Sequence, residues 1–240
     1  MFLYETHCHC SQCSACAKST AAEIVQSYHA AGYAGLVLTD HFLSGNTAVD
    51  RSLPWETKAR LYYDAYLQAK AVGDELDFDV LFGIEHHFGN GKEVLIYNVD
   101  LNFMLQNPDM CDISLEELIQ RVHIWGGLVF QAHPYRDRDY IDMSVPPRDD
   151  IVDGFEVYNA CNQGPVENLP AYRLAKEKGL LMISGGDVHI AGSDAISMAG
   201  IAFPYRVRTG QELVDAILCG DSRCIINRQV VEHLSEESLA

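Results

Sequence analysis

Strand-like apolar runs along this chain stop, repeatedly, on a histidine or a carboxylate. Thr6-His7-Cys8-His9 closes the first run. Later runs deliver Asp40 with His41, then Glu85, His133 before Pro134, and Asp187 with His189. Side chains alternate faces along a strand, so His7 and His9 share one face while Cys8 takes the other. Two imidazoles on one face can begin a metal site. The recurrence constrains the fold, because strand ends far apart in sequence must meet for such residues to share one cluster.

Between these runs lie helical patterns. Residues 3–7 read as a strand, and Thr20-Ala21-Ala22-Glu23 has the capping-box pattern that opens a helix stopping before Gly32. Gly35-Leu36-Val37-Leu38-Thr39 reads as a buried strand, followed by a polar loop through Pro54 and a helix over 56–72. Asp79-Val80-Leu81-Phe82-Gly83-Ile84 then delivers Glu85. Val94-Leu95-Ile96-Tyr97 begins too soon after Glu85 for a parallel crossover, which takes about a dozen residues or more. An antiparallel hairpin is expected there, bringing Glu93 to the sheet end that holds Glu85.

Ser114-Leu115-Glu116-Glu117 caps a helix that ends at Gly126-Gly127, and Leu128-Val129-Phe130-Gln131 presents His133. A strand at Gly154-Phe155-Glu156-Val157-Tyr158 precedes a helix over 170–178. Leu180-Leu181-Met182-Ile183-Ser184 leads through two glycines to Asp187. A short strand near Ile201, a helix from Thr209 and a last strand near Ile225 complete the pattern. Repeated strand–helix units build a barrel or an open doubly wound sheet, and ligands on many strand ends favour the barrel, whose ends converge on one mouth. The expectation is α/β, a distorted TIM-like β/α barrel forming one domain over residues 1–240.

A net charge of −17 argues against coating a nucleic-acid backbone, so no stable nucleic-acid binding is expected. It leaves a small phosphorylated substrate open, since bound divalent cations reverse the local field. No long uncharged apolar run is present and the first residues lack a signal peptide's basic start, so a cytoplasmic location is expected by default. Reduced thiols are expected of the eight cysteines. Cys8, Cys10, Cys13 and Cys16 crowd the start and support a competing, non-enzymatic reading as a zinc or iron–sulfur module. The outward parity of Cys8 and Cys10 counts against it.

In the order of His7-Cys8-His9, Thr39-Asp40-His41, Gly83-Ile84-Glu85, Ala132-His133-Pro134, Glu156-Val157-Tyr158-Asn159 and Gly185-Gly186-Asp187-Val188-His189, the chain resembles the polymerase-and-histidinol-phosphatase (PHP) phosphoesterases. The resemblance covers nearly the whole length. It implies a distorted seven-stranded β/α barrel with two or three divalent ions, zinc, manganese or iron. By position, it puts His7, His9, Glu85 and Asp187 on the first ion. Glu85 bridges to a second, completed by His133 and by Glu93, where relatives often carry histidine. An oxygen ligand there tilts the site toward manganese or iron. His41 and His189 serve a third ion, with Cys16, or Cys13 behind it, from the loop after His9.

The implied activity is hydrolysis of a small phosphomonoester or nucleotide by a metal-activated water bridging two ions. Histidinol phosphate is the alternative substrate. His41 or His189 protonates the leaving group only while free of metal. Arg136 is either a phosphate clamp or a solvated loop residue, and Glu156 a partner of a ligating histidine. At most one of His86 and His87 turns into the site. His29, His123 and His233 are given no role. Loops 42–55 and 136–150 are expected to shape the pocket.

Overall fold

In the computed structural model, which describes residues 1–239, the alternation becomes ten strands and six α-helices. The first seven strands are β1 (Phe2–Cys8), β2 (Gly35–Leu38), β3 (Asp79–Gly89), β4 (Lys92–Tyr97), β5 (Leu128–Gln131), β6 (Gly154–Asn159) and β7 (Leu181–Gly185). They lie side by side in chain order. β1, β2 and β3 are parallel, as are β5, β6 and β7, while β4 opposes both of its neighbours. The expected hairpin is therefore present, with Glu93 opposite His87. Glu85, expected at a strand end, instead lies inside β3, which runs on to Gly89 because the hairpin partner continues to pair with it.

The sheet has ten strands rather than seven. β8 (Ala199–Phe203), β9 (Arg223–Ile226) and β10 (Gln229–Val230) extend it antiparallel from β1. An open edge on β1 permits this, because the segment after β7 meets β1 by an isolated bridge between Cys8 and Val188 rather than a ladder. Side chains help the closure. Thr6 Oγ1 donates to the Ser184 carbonyl at 2.7 Å, and the Ser184 hydroxyl lies within hydrogen-bond reach of the carbonyls of Gly200 and Ile225, its one proton serving either. The result is a curled sheet that approaches a barrel.

Helices α1 (Ala21–Ala30), α2 (Trp55–Glu75), α3 (Leu101–Gln106), α4 (Leu115–Trp125), α5 (Pro165–Lys178) and α6 (Gly210–Leu218) pack around the strands. The Thr20–Glu23 capping box is complete, Ser114 caps α4, and Gly126 ends α4 in the left-handed conformation at φ 91°. α3, capped by Asp100, is too short to announce itself by periodicity. α5 begins at Pro165, earlier than expected, and holds Pro170 inside it. The N–H that Pro170 lacks would have bonded the carbonyl of Val166, whose residue is exposed in the first turn and within reach of water. No helix among the described residues is long and apolar enough to cross a membrane.

Alternation along the strands sorts the core into two shells. Val37, Leu81 and Phe130 face inward with Tyr4, Leu95 and Tyr97. Their neighbours Leu36, Val80 and Val129 face outward against helices carrying Ile24, Tyr62 and Leu118. Leu213, Val214 and Ile217 of α6 join the inner shell and plug one end of the curl. The carboxyl ends of the parallel strands are left for polar residues.

Thr20 is exposed and its side chain bonds only Glu23, so its substitution tests the start of α1. Thr20→Ala should lower the free energy of unfolding in urea by about 1 kcal/mol, without altering divalent-metal affinity; no loss would mean the box does not hold α1.

Candidate metal centre

Tyr4 packs inward, and strict alternation from it would turn His7 outward. A bulge prevents this. Between the pairs Glu5–Leu36 and Cys8–Leu38, β1 carries one residue more than β2. The buried Glu5 carboxylate accepts the N–H groups of Thr6 and His7 at 2.9 and 2.8 Å. It also accepts Gly186 N–H at 2.7 Å across the closure, and the Tyr28 hydroxyl. Burial pushes its pKa up to about 7 against these hydrogen bonds. The bulge brings His7 and His9 to the mouth and sends the Cys8 thiol to the Val37 carbonyl, 3.5 Å away.

At the mouth, His7 Nε2 stands 3.0 Å from Glu85 Oε1, and His9 Nε2 3.1 Å from Asp187 Oδ1. His41 Nδ1 is 2.6 Å from Glu85 Oε2 and 3.2 Å from Glu93 Oε1. His133 Nε2 is 3.2 Å from Glu85 Oε1 and 3.6 Å from Glu93 Oε2. The His189 ring stacks on His9 at 4.2 Å. Three imidazoles have their other nitrogen tied: His7 Nδ1 to Glu156 Oε1 at 2.9 Å, His9 Nδ1 to Ser14 Oγ at 3.0 Å and His189 Nδ1 to the Asp187 carbonyl at 2.8 Å. Ser14 in turn donates to Asp40 at 2.6 Å. A hydrogen bond on the far nitrogen fixes the ring and its tautomer for metal binding.

The remaining atoms test whether ions fit. Five buried side-chain nitrogens and oxygens among the described residues lack a hydrogen-bond partner, and four are here: His7 Nε2, His9 Nε2, His41 Nδ1 and Glu85 Oε2. They are close to one another but not aligned as donor and acceptor. An orphaned buried polar group costs about 1–3 kcal/mol. Ligand atoms within 4.8 Å of one another form four triads: His7–His9–Glu85, His7–His133–Asp187, His41–Glu85–Glu93 and His9–His41–His189. This mixed nitrogen and oxygen set fits divalent transition ions. Two of these residues sit in left-handed backbone, His133 at φ 30° and Asp187 at φ 52°. Strain of this kind needs surrounding restraint, and His133 N–H has it in Glu156 Oε2 at 2.9 Å.

Charge follows the geometry. Burial disfavours ionised Glu85, yet His41 and His7 hold it well below the ordinary carboxylate range. Burial likewise opposes Asp187, which Arg136 and His7 hold down. His7 stays well above the ordinary imidazole value, burial being outweighed by Glu156, Asp187 and Glu85. His41 is raised by Glu85 in the same way. His9 goes the other way, lowered by burial and by His189 and His41. Burial would raise the Cys16 thiol, but His189 and His41 pull it down to about 6.

A cavity of about 450 Å³ opens over these residues, with Cys16, His41, Glu93, His133, Arg136 and His189 in its wall. Arg136 is not solvated. Its Nη1 lies 2.6 Å from Asp187 Oδ2, and its other edges donate to Asn159 and Asn162 at 2.8 and 2.9 Å. Cys8, Cys10 and Cys13 are buried apart from the cavity; the latter two thiols reach Asp40 Oδ2 at 3.0 Å and the Tyr62 carbonyl at 3.3 Å. No cysteine enters the triads, which counts against the cysteine module. His86 is buried against Phe42 and reaches the Ser44 hydroxyl at 3.2 Å, whereas His87 faces a smaller cavity beside Glu93. Glu5 and Ser14 escaped the sequence reading. A carboxylate two residues before His7 in a buried strand was a signal for the first, and Ser14 carried none.

No protein-family profile and no curated protein matches the sequence. Solved structures do. A protein from Bifidobacterium adolescentis assigned as a metal-dependent phosphoesterase aligns at TM-score 0.58 and 15% identity, covering 90% of this chain and 95% of its own. A two-domain protein from Bacteroides vulgatus with a PHP-like phosphoesterase assignment aligns at 0.70 and 12%, covering 95% of this chain and 66% of its own. Endonuclease Q, bound to a DNA duplex with an abasic lesion, aligns at 0.59 and 12%, with 91% and 57% coverage. The chain therefore has the fold of PHP-like metal-dependent phosphoesterases.

The charge pattern sets a pH dependence for metal-free protein. Glu85 and Asp187, depressed from 4.5 and 3.8, give stability that is present above those values and lost as pH falls below them. His7 and His41, raised from 6.5, give stability that is complete below that value and lost as pH rises through their higher ones. His9, lowered, opposes this pair, whereas Glu5, raised to about 7, adds stability that is also lost as pH rises from about 4.5 through 7. Denaturation should show greatest metal-free stability between about pH 4.5 and 6.5. Added zinc or manganese should raise the melting temperature more as pH climbs, since ligation needs deprotonated imidazole. A metal effect independent of pH would speak against this ligand set.

Proposed function

We propose that this chain is a metal-dependent phosphoesterase that hydrolyses a small phosphomonoester or nucleotide. The four orphaned, converging atoms of His7, His9, His41 and Glu85 carry the reading. His7, His9, Glu85 and Asp187 would hold one divalent ion, and Glu85, Glu93 and His133 a second. His41 and His189 would hold a third with Cys16, whose lowered thiol pKa suits a ligand. Zinc, manganese and iron all suit such donors. When bound, these ions supply a nucleophile from water near neutral pH and neutralise charge on the phosphoryl and leaving oxygens.

The chain's own residues do the rest. Glu156, Ser14 and the Asp187 carbonyl fix three imidazole rings, so little reorganisation is left for the reaction. Arg136 orients Asp187 and is the one permanent cation in the cavity wall, placed to meet a phosphoryl oxygen. His189 is a quarter exposed, and its raised pKa lets it protonate the departing oxygen while it carries no metal. A net charge of −17 weighs against a DNA duplex like that bound by Endonuclease Q.

Phosphate release from phosphomonoesters, nucleotides and histidinol phosphate, after metal stripping and reconstitution with manganese, zinc or iron, tests the proposal. Turnover should require metal and fall by about a thousandfold or more in His7→Ala. Metal bound at full stoichiometry with no release from any ester would remove the proposal.

A further inference from the structure

The cavity above the metal centre is not the whole site. Beyond Glu93 lies a second lobe of about 280 Å³, bounded by Ser44, Asn46, His87 and Tyr140. Asn46, Glu93 and Tyr140 border both spaces, so the lobe continues the first cavity outward. Its size is close to the lower bound for small-ligand pockets, about 300–1,000 Å³. An ester whose phosphoryl group lies over the ligand cluster would extend its alcohol into this lobe. We propose that the lobe is the leaving-group subsite and selects an uncharged, planar aromatic or heteroaromatic ring. The inference rests on the phosphoesterase reading and narrows its substrate class.

Three observations carry it. Tyr140 is 65% exposed although it borders a cavity, which leaves an aromatic face without a partner beside the site. Stacking a flat ring there covers that surface. The wall chemistry is neutral and hydrogen-bonding, from Asn46 and from Ser44, whose hydroxyl also meets His86, with His87 as a second ring. It contains no lysine or arginine, and its charged member is Glu93, so a second phosphate on the leaving group meets no cation.

The lobe is also built in advance. The Arg51 guanidinium donates to the Leu43 carbonyl at 2.9 Å and to that of Gly45, pinning the loop after β2. A side chain on Gly91, at φ +74°, would strike the Tyr140 carbonyl, so glycine lets the 136–150 loop lie against the hairpin. Asp142 N–H donates to the Asn90 carbonyl at 3.0 Å and fixes that seat. Gly45 opens the space between the two walls: a Cβ there would lie 3.5 Å from His87 Cβ and 3.6 Å from Glu93 Oε1, ordinary contact distances. A larger residue at position 45 can therefore be accommodated by the backbone while filling the lobe.

The experiment uses metal-loaded protein and two readouts. Calorimetry measures binding of adenosine, which has no phosphate. Kinetics compare adenosine monophosphate and phenyl phosphate with glycerol phosphate and a nucleoside bisphosphate. Ring-bearing monoesters should exceed glycerol phosphate by roughly tenfold in kcat/KM, mainly through KM, as expected for one stacked ring. Tyr140→Ala should remove that preference, Tyr140→Phe should keep it, and Gly45→Leu should abolish adenosine binding. Preference for the bisphosphate, or an unchanged ratio in Tyr140→Ala, would overturn the subsite while leaving the phosphoesterase reading intact. Adenosine binding that Gly45→Leu removes, without hydrolysis of any ester, would overturn the phosphoesterase reading and the lobe's role as a leaving-group subsite.

Discussion

A carboxylate without access to water keeps its charge only when positive groups surround it, and Glu85 is in that position. His7, His41 and His133 reach it from three other strand ends. Its backbone is pinned as well: Glu85 N–H donates to the Asp40 carbonyl at 3.1 Å, and its own carbonyl accepts Phe42 N–H at 2.8 Å. The mouth is consequently assembled around one side chain. Loss of a partner from a buried charge costs about 3–5 kcal/mol, so the ligand set and the local fold are hard to separate energetically. Ser14 shows the same economy, serving His9, His41 N–H and Asp40 at once.

Much of this was legible in the sequence, because hydrophobic period and helix caps are local properties. The Thr20 and Ser114 caps, the Gly126 stop and the short gap before Val94 each announce their element without tertiary help. What was hidden depends on contacts distant in sequence. The parity of His7 and His9 was inferred correctly relative to Cys8, but their inward turn relative to Tyr4 requires the Glu5 bulge. That bulge requires Gly186, far along the chain. The strands near Ile201 and Ile225 were read from their own residues, but that they join the sheet as β8 and β9, antiparallel beyond β1, depends on the edge β1 keeps open. Pro170 misled for the opposite reason: a local rule gave way to water at an exposed turn.

Histidine identity was easier to read than histidine direction. His86 and His87 are adjacent, yet pairing of β3 with β4 places His87 opposite Glu93 and leaves His86 packed near Phe42. One residue of register exchanges a cavity-wall histidine for a core one. Arg136 illustrates a further gap. Its loop position left solvent or phosphate open; Asp187, Asn159 and Asn162 take three of its five N–H groups, which removes the solvated reading and leaves two N–H groups for an anion.

That engagement bears on how such a site can accept an anion. Glu85, Glu93, Asp187 and Glu156 converge on the mouth against a single permanent cation, Arg136, within a chain of net charge −17. Protons on His7 and His41 can balance part of this charge, as their raised pKa values indicate. They cannot do so while those rings act as ligands, since a metal takes the lone pair the proton occupied. Divalent charge must therefore replace proton charge, and exceed it, before the local field favours a phosphate dianion. The carboxylates serve that exchange. They are too many for Arg136 and the imidazoles alone, so the mouth as built favours divalent cations, which the proposed hydrolysis would use.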